Sequence, residues 1–128
     1  MQAIVTAVAA GLIAVSALFT PAQAADGPVV LIARFYVAPG QESAFEERSK
    51  KGIEFVRKAE PDIIVYRLDR STKDPSQYVF FEVYPSQAAL DRHAKETLPA
   101  FAKLVGPRPE GLFTKPPEIE KLAPVGGR

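Results

Sequence analysis

The order in which the spacing of apolar residues changes along the chain is the feature that most restricts its fold. Residues 29–37 are rich in β-branched and aromatic side chains and end at the turn signal Pro39-Gly40, which predicts a first strand. Across residues 41–59 apolar residues recur at helical spacing, with acidic side chains early and basic ones late, as a helix macrodipole favours. Pro61 ends the predicted helix. A strand and a helix therefore open the domain.

The next two segments predict a hairpin. Residues 63–70 and 77–84 both have the composition of strands, and apolar side chains fall on both faces of the first of them. Residues 71–76, which contain Asp74-Pro75, have the composition of a turn. The two strands are therefore predicted to pair with each other.

A second helix is predicted after the hairpin. Ser86 is a favourable N-cap, and apolar spacing gives the helix an inward face formed by Ala89, Leu90, His93 and Ala94. Pro99 is expected to kink this helix or to begin a second piece. Beyond Gly106 the prolines indicate an irregular stretch, and residues 118–123 predict a short last strand.

The resulting order is strand, helix, strand, strand, helix, strand. This is the split βαβ arrangement of ferredoxin-like α+β domains, written βαββαβ, with a four-stranded antiparallel sheet. The helices cover only one face of such a sheet, yet the first three predicted strands carry apolar side chains on both faces. Packing the second face against another copy of the sheet would bury it. We therefore predict a homodimer.

The first 24 residues have the pattern of a cleavable signal peptide. Residues 3–19 are apolar or small and are followed by Pro21 and the small-x-small triplet 22–24, although no Lys or Arg precedes the apolar run. That run is shorter than the roughly 20 residues that cross a bilayer comfortably. We expect cleavage after Ala24, a periplasmic or secreted protein without a stable membrane span, and one domain over residues 25–128. An uncleaved anchor is the alternative.

Charge and residue usage exclude several classes of function. The 16 basic and 15 acidic residues are spread along the chain and leave a formal net charge of +1, so nucleic acid is not an expected partner. The absence of cysteine excludes disulfide frameworks, thiolate zinc sites and iron–sulfur clusters. One histidine without clustered carboxylates does not make a metal site. We therefore predict no metal site.

Over residues 29–125 an ordered set of short features resembles the antibiotic biosynthesis monooxygenase family of dimeric α/β barrels, which includes cofactor-free quinol monooxygenases. The set consists of Pro39-Gly40, Glu60-Pro61, Tyr66, Asp74-Pro75, Glu82, Tyr84, Ser86, Ala89, Leu90 and His93. The resemblance implies a dimeric barrel that acts without a cofactor on a small aromatic or quinol-like compound. It does not by itself choose a reaction, because one fold supports many chemistries.

The chain departs from the family pattern at several positions. Asp62 stands where the family often has Gly, Tyr84 where many members have Trp, and residues 97–100 lack the second histidine of many members. A second proton-transfer partner is thus missing. The haem-degrading branch resembles a pattern that needs Asn, Trp and an iron-binding His, but this chain contains neither Asn nor Trp. Haem degradation is therefore not expected.

His93 is the first candidate for chemistry. It is the only histidine and lies on the predicted inward face of its helix, and its ordinary pKa suits proton transfer near neutral pH. The alternative is a buried structural histidine whose ring nitrogens are satisfied by a carbonyl or a carboxylate.

Glu82 and Tyr84 form a second candidate group, because residues two apart on a strand point to the same side. Glu82 either orients His93 or a substrate hydroxyl, or it pairs with Arg34 or Arg67 across the sheet. The sequence does not distinguish between these two interpretations.

Tyr66 and Tyr84 complete the candidate site, since each could donate a hydrogen bond to a quinol or enolate oxygen, or be an ordinary strand aromatic. The leading hypothesis is an exported, homodimeric, cofactor-independent monooxygenase-like protein for a small aromatic or quinol-type substrate. The alternative is a non-catalytic small-ligand-binding or stress-associated barrel. A closed pocket reached by His93, Tyr66 and Tyr84 would favour catalysis, and a cavity filled by Phe side chains would favour the alternative.

Overall fold

A computed structural model describes residues 27–127 of the chain. The predicted signal peptide, residues 1–24, lies outside the described residues. Within the described part of the chain, no helix has both the length and the apolar character that crossing a membrane requires.

The predicted order of elements is confirmed. The chain forms β1 (Val29–Tyr36), α1 (Glu42–Ala59), β2 (Val65–Arg70), β3 (Gln77–Tyr84), α2 (Gln87–Arg92), a π-helical segment (His93–Thr97), α3 (Leu98–Val105) and β4 (Glu118–Leu122). The second strand begins at Val65, two residues later than predicted, because the chain first turns after Pro61 and the amide of Ile63 bonds back to the carbonyl of Glu60 at 3.1 Å.

The four strands form one antiparallel sheet in the order β2-β3-β1-β4. This order and the two helical crossovers are those of the ferredoxin-like α+β fold, which confirms the predicted fold class. The register places Leu31 of β1 and Tyr66 of β2 on either side of Glu82 in β3. These three side chains therefore share one face of the sheet.

Helix α1 packs on that face through a stripe of buried residues spaced three and four apart: Phe45, Ser49, Gly52 and Val56. Gly52 lies where α1 meets α3, and a Cβ placed there would lie 3.4 Å from the ring of Phe101. The absence of a side chain at Gly52 therefore lets the two helices approach closely.

The second helical region is interrupted, as Pro99 led us to expect. Ser86 caps α2, its hydroxyl accepting a hydrogen bond from the amide of Ala89 at 3.1 Å. After His93 the spacing of the backbone hydrogen bonds lengthens from four residues to five, and the amide of Leu98 bonds to the carbonyl of His93. Pro99 has no amide hydrogen to donate one turn back, so the wider π-helical turn precedes it and α3 begins as a second piece.

The two faces of the sheet have different coverage. The core lies between the helices and the face toward them, and consists of Ala33, Val37, Phe45, Tyr78, Phe80 and Leu112, with Val29, Tyr84 and Ala89 as a second cluster. The opposite face, called here the open face, carries Val30, Ile32, Val65, Val79, Phe81 and Val83, all half-buried in the single chain. The site described next lies on the covered face.

Candidate active site

A cavity of about 510 Å³ lies between the covered face of the sheet and the helices. Its volume falls within the range of small-molecule sites, about 300–1,000 Å³. The apolar part of its lining includes Leu31, Ala33, Phe35, Phe45, Val56, Phe80, Leu90, Leu98, Phe101, Leu112 and Phe113. Glu82, His93 and Tyr66 also line it. The cavity is thus largely apolar, with a few polar groups gathered at one end.

His93 is held by a buried carboxylate that the sequence reasoning did not include among the site residues. Its Nδ1 lies 2.6 Å from Oε2 of Glu60, and the two residues are only 3% and 1% exposed. Glu60 reaches this position because it caps the end of α1, its amide bonding to the carbonyl of Val56 immediately before Pro61. In the sequence the Glu60-Pro61 pair is one of the features that resemble the family, and nothing links it to a residue 33 positions later.

The other nitrogen of the ring is available to a ligand. Within residues 27–127, Nδ1 has a hydrogen-bond partner and Nε2 has none. Since the ring lines the cavity, Nε2 can accept a proton from a bound molecule while Nδ1–H stays directed at Glu60.

The second oxygen of Glu60 is incompletely compensated. Oε1 is buried and has no hydrogen-bond partner among the described residues. Its nearest cation is Arg92, whose Nη2 lies 4.0 Å away and makes a shorter contact, 2.8 Å, with Asp62. The negative charge of this buried carboxylate therefore lies directly beside the ring of His93.

Glu82 pairs with Tyr84, whose hydroxyl donates a 2.5 Å hydrogen bond to Oε2 of the carboxylate. Both side chains are buried. Burial raises the pKa of Glu82 to about 7, with the nearby Glu60 carboxylate acting in the same direction and the Tyr84 hydrogen bond opposing it. Glu82 can therefore carry or release a proton near neutral pH.

The alternative pairing of Glu82 with Arg34 or Arg67 is wrong. Both arginines lie on the open face, because their register partners are Val79 and Phe81 and not Glu82. There they form solvent-exposed pairs, Arg34 with Glu120 at 2.9 Å and Arg67 with Asp69 at 2.8 Å. The alternation of side chains along a strand separates them from Glu82.

Two tyrosine rings flank the imidazole. The centroids of Tyr66 and Tyr84 lie 5.3 and 5.2 Å from that of His93. Tyr66 lines the cavity, and its hydroxyl has no hydrogen-bond partner among residues 27–127. Burial raises the pKa of Tyr66 above its ordinary value, with Glu82 and Glu60 adding to the shift, so the phenol remains a neutral donor.

Three of the four predicted site residues thus meet at one end of the cavity: His93, Tyr66 and Glu82. Tyr84 lies behind them, fully buried, and contacts Glu82 and His93 rather than the cavity itself. Among the described residues there is no group of three or more His, Cys, Asp or Glu side chains placed to hold a metal ion.

Residues 28–105 match the protein family described as "Antibiotic biosynthesis monooxygenase". The uncharacterized protein sll1783 from Synechocystis is 34% identical over 96 residues; the match covers 75% of this chain and 63% of that relative's length. A proposed antibiotic biosynthesis monooxygenase from Caulobacter crescentus has a similar structure, with a TM-score of 0.66 and 28% identity over 79% of this chain and 92% of its own. Rv0793 from Mycobacterium tuberculosis has a TM-score of 0.63 and 30% identity over 79% of this chain and 98% of its own.

Proposed function

The chain belongs to the antibiotic biosynthesis monooxygenase family, and on this premise we propose that it is an exported, cofactor-independent monooxygenase for a small phenolic or quinol-type compound. The observation that carries the proposal is the buried His93–Glu60 pair at one end of a largely apolar cavity of about 510 Å³. A histidine supported by a buried carboxylate can remove the proton from a bound ligand that carries an acidic hydroxyl group.

The first step is removal of the phenolic proton. Nε2 of His93 accepts the proton. The Nδ1–H of the resulting imidazolium still donates its hydrogen bond to Glu60, whose negative charge stabilises the imidazolium. The phenolate oxygen then accepts hydrogen bonds from Tyr66 and from the protonated form of Glu82.

The second step is oxidation of the phenolate by dioxygen. The phenolate supplies four electrons and the O–O bond breaks, so that one oxygen atom becomes a new carbonyl of a quinone and the other leaves as water. The phenolic hydrogen and the hydrogen on the attacked carbon both end in that water. The lining of the cavity is largely apolar, which strengthens the electrostatic interactions of the phenolate with the polar groups of the site.

Oxygen uptake with a panel of hydroquinones, naphthohydroquinones and polyphenols tests this proposal. We expect one dioxygen consumed per substrate without release of hydrogen peroxide, and a loss of about 100-fold or more in kcat for His93→Ala. Glu60→Gln is expected to lower kcat as well, because the neutral amide no longer balances the imidazolium. Ala44→Gln on the exposed side of α1 is the control and keeps full activity.

The second candidate function is binding of an apolar ligand without turnover. The observation in its favour is that Nδ1 of His93 is satisfied by a carboxylate, which is also how a structural histidine is held. Tight binding of an aromatic ligand without oxygen uptake for any compound of the panel would select this function. Uptake that depends on His93 would reject it.

The proposal includes two further properties. The half-buried apolar open face supports a homodimer in which two sheets pack face to face. The apolar segment 3–19 and the triplet 22–24 support export to the periplasm or the medium. Recovery of the protein from the periplasm or the medium checks export. The mass of the recovered protein checks cleavage, because removal of residues 1–24 would leave a chain that begins at Ala25.

A further inference from the structure

Two guanidinium groups line the end of the cavity remote from His93. Arg48 on α1 donates a 2.8 Å hydrogen bond from Nη2 to the carbonyl of Gly106. Arg108, in the connection between α3 and β4, lies over the ring of Phe113 with its guanidinium carbon 4.9 Å from the centroid. Within residues 27–127, neither arginine forms an ion pair with a carboxylate. Both side chains contribute to the lining of the cavity.

The register of the sheet shows how far these arginines lie from the histidine end. Glu82 pairs with Leu31 on β1, so the histidine end lies at the level of Leu31. Phe113 packs on Phe35 with ring centroids 5.4 Å apart and forms a bridge with Val37. The four residue-to-residue steps from Leu31 to Phe35 span about 13 Å of strand. A ligand that touches both ends of the cavity is therefore elongated.

The charges are distributed unequally along this length. The histidine end holds the carboxyl groups of Glu60 and Glu82, and Asp91 lines the cavity from α2, where it accepts a hydrogen bond from Gln87. Among residues 27–127, the two positively charged side chains at the far end have no carboxylate partner, whereas Arg92 near the histidine end is paired with Asp62 at 2.8 Å. An anionic group on a ligand is attracted to the arginine end and repelled from the histidine end.

We propose that the natural ligand is an elongated aromatic compound with a hydroxyl group at one end and a carboxylate or similar anionic group at the other. The anionic group binds Arg48 and Arg108, and the hydroxyl group lies at Nε2 of His93. The arginines thereby fix which end of the ligand reaches the proton acceptor. The role of the hydroxyl rests on the proposed function, whereas the preference for an anion is a binding property that needs no turnover.

The test compares two probes with the same naphthol ring system, 6-hydroxy-2-naphthoate and its uncharged methyl ester. The naphthol fluorescence of each can be followed directly, since the protein contains no tryptophan. We expect wild-type protein to bind the acid about five- to tenfold more tightly than the ester. The preference should decrease as salt is added, because Arg108 is exposed and its charge is screened.

Arg108→Gln is the informative variant and Arg57→Gln its matched control. Arg57 lies on the exposed side of α1 and does not line this cavity, so its replacement removes the same charge elsewhere. Arg108→Gln should bring the two affinities closer together, because only Arg48 then remains for the anionic group, and Arg57→Gln should leave the preference unchanged. A wild-type protein that binds both probes equally would overturn the proposal, as would an undiminished preference in Arg108→Gln or an equal loss of both probes.

The result is separable from the monooxygenase proposal. A preference for the acid that persists in His93→Ala, in a protein that consumes no oxygen with any quinol, supports the arginine site and rejects the catalytic role of His93. Oxygen uptake that depends on His93, with equal binding of acid and ester, rejects the arginine site alone.

Discussion

Successive side chains of each strand point to opposite faces of the sheet, yet the two faces differ in chemistry. On β3 the covered face holds the buried side chains Tyr78, Phe80, Glu82 and Tyr84, and the open face holds the half-buried Gln77, Val79, Phe81 and Val83. The covered face contains a buried carboxyl whose pKa is raised to about 7. On the open face the carboxylates stay in solvent beside arginines. The helices, which desolvate one face only, account for the difference.

Replacement of Phe80 or Phe81, which lie next to each other on opposite faces, should show the largest difference between the two faces, in the free energy of unfolding. Phe80 is 8% exposed and packs against the rings of Phe35 and Tyr66. Phe80→Ala is expected to lower the free energy of unfolding by about 3–5 kcal/mol, because it removes a buried ring and leaves a cavity. Phe81→Ala is expected to cost less in dilute protein. Urea unfolding measures both, and equal losses would contradict the assignment of the two faces.

The pH dependence of stability should come from the covered face. The pKa of Glu82 is raised from 4.5 in the unfolded chain to about 7 in the folded one, so the folded state binds the proton more tightly. The contribution of Glu82 is therefore fully present below pH 4.5 and is lost as the pH rises to about 7, a decrease on the order of 3 kcal/mol.

Glu82→Gln is expected to remove that decrease, because the amide does not titrate. Glu120→Gln is the control on the open face, where the carboxylate is exposed beside Arg34. Denaturant unfolding between pH 4.5 and 7.5 gives the comparison. Parallel profiles for wild type and Glu82→Gln would show that the buried carboxyl does not govern this range.

A charge on the open face should disrupt the proposed dimer with little effect on the fold. Phe81→Asp is expected to weaken association by about 100-fold, since a carboxylate would be buried between two apolar sheets. Ala44→Asp introduces the same charge on the exposed side of α1 and should leave association unchanged. Sedimentation over a range of concentrations measures both. Unchanged association of Phe81→Asp would mean that the open face is not the dimer surface.

Much of the fold follows from local sequence patterns. The bounds of β3 agree with the prediction, Ser86 caps the second helix as expected, and Pro99 divides it. These features depend on side-chain alternation, on a hydroxyl near free amides and on a missing amide hydrogen. Each acts within a few residues and can be read from the chain alone.

The site was predicted less completely. Period-two alternation places Glu82 and Tyr84 on one side but does not predict the hydrogen bond between them, and the alternative that pairs Glu82 with Arg34 or Arg67 is wrong. The register that excludes the arginines is set by how β1 and β2 align with β3, and such alignment involves residues far apart in the chain.

The sequence by itself determined the order of strands and helices, the inward position of His93 and the apolar character of both sheet faces. Only the tertiary structure brought Glu60 to His93 and left Arg48 and Arg108 at the other end of the same cavity. The reason is physical: a strand or helix is specified by neighbours within a few residues, whereas a buried pair of polar groups depends on how separate elements dock.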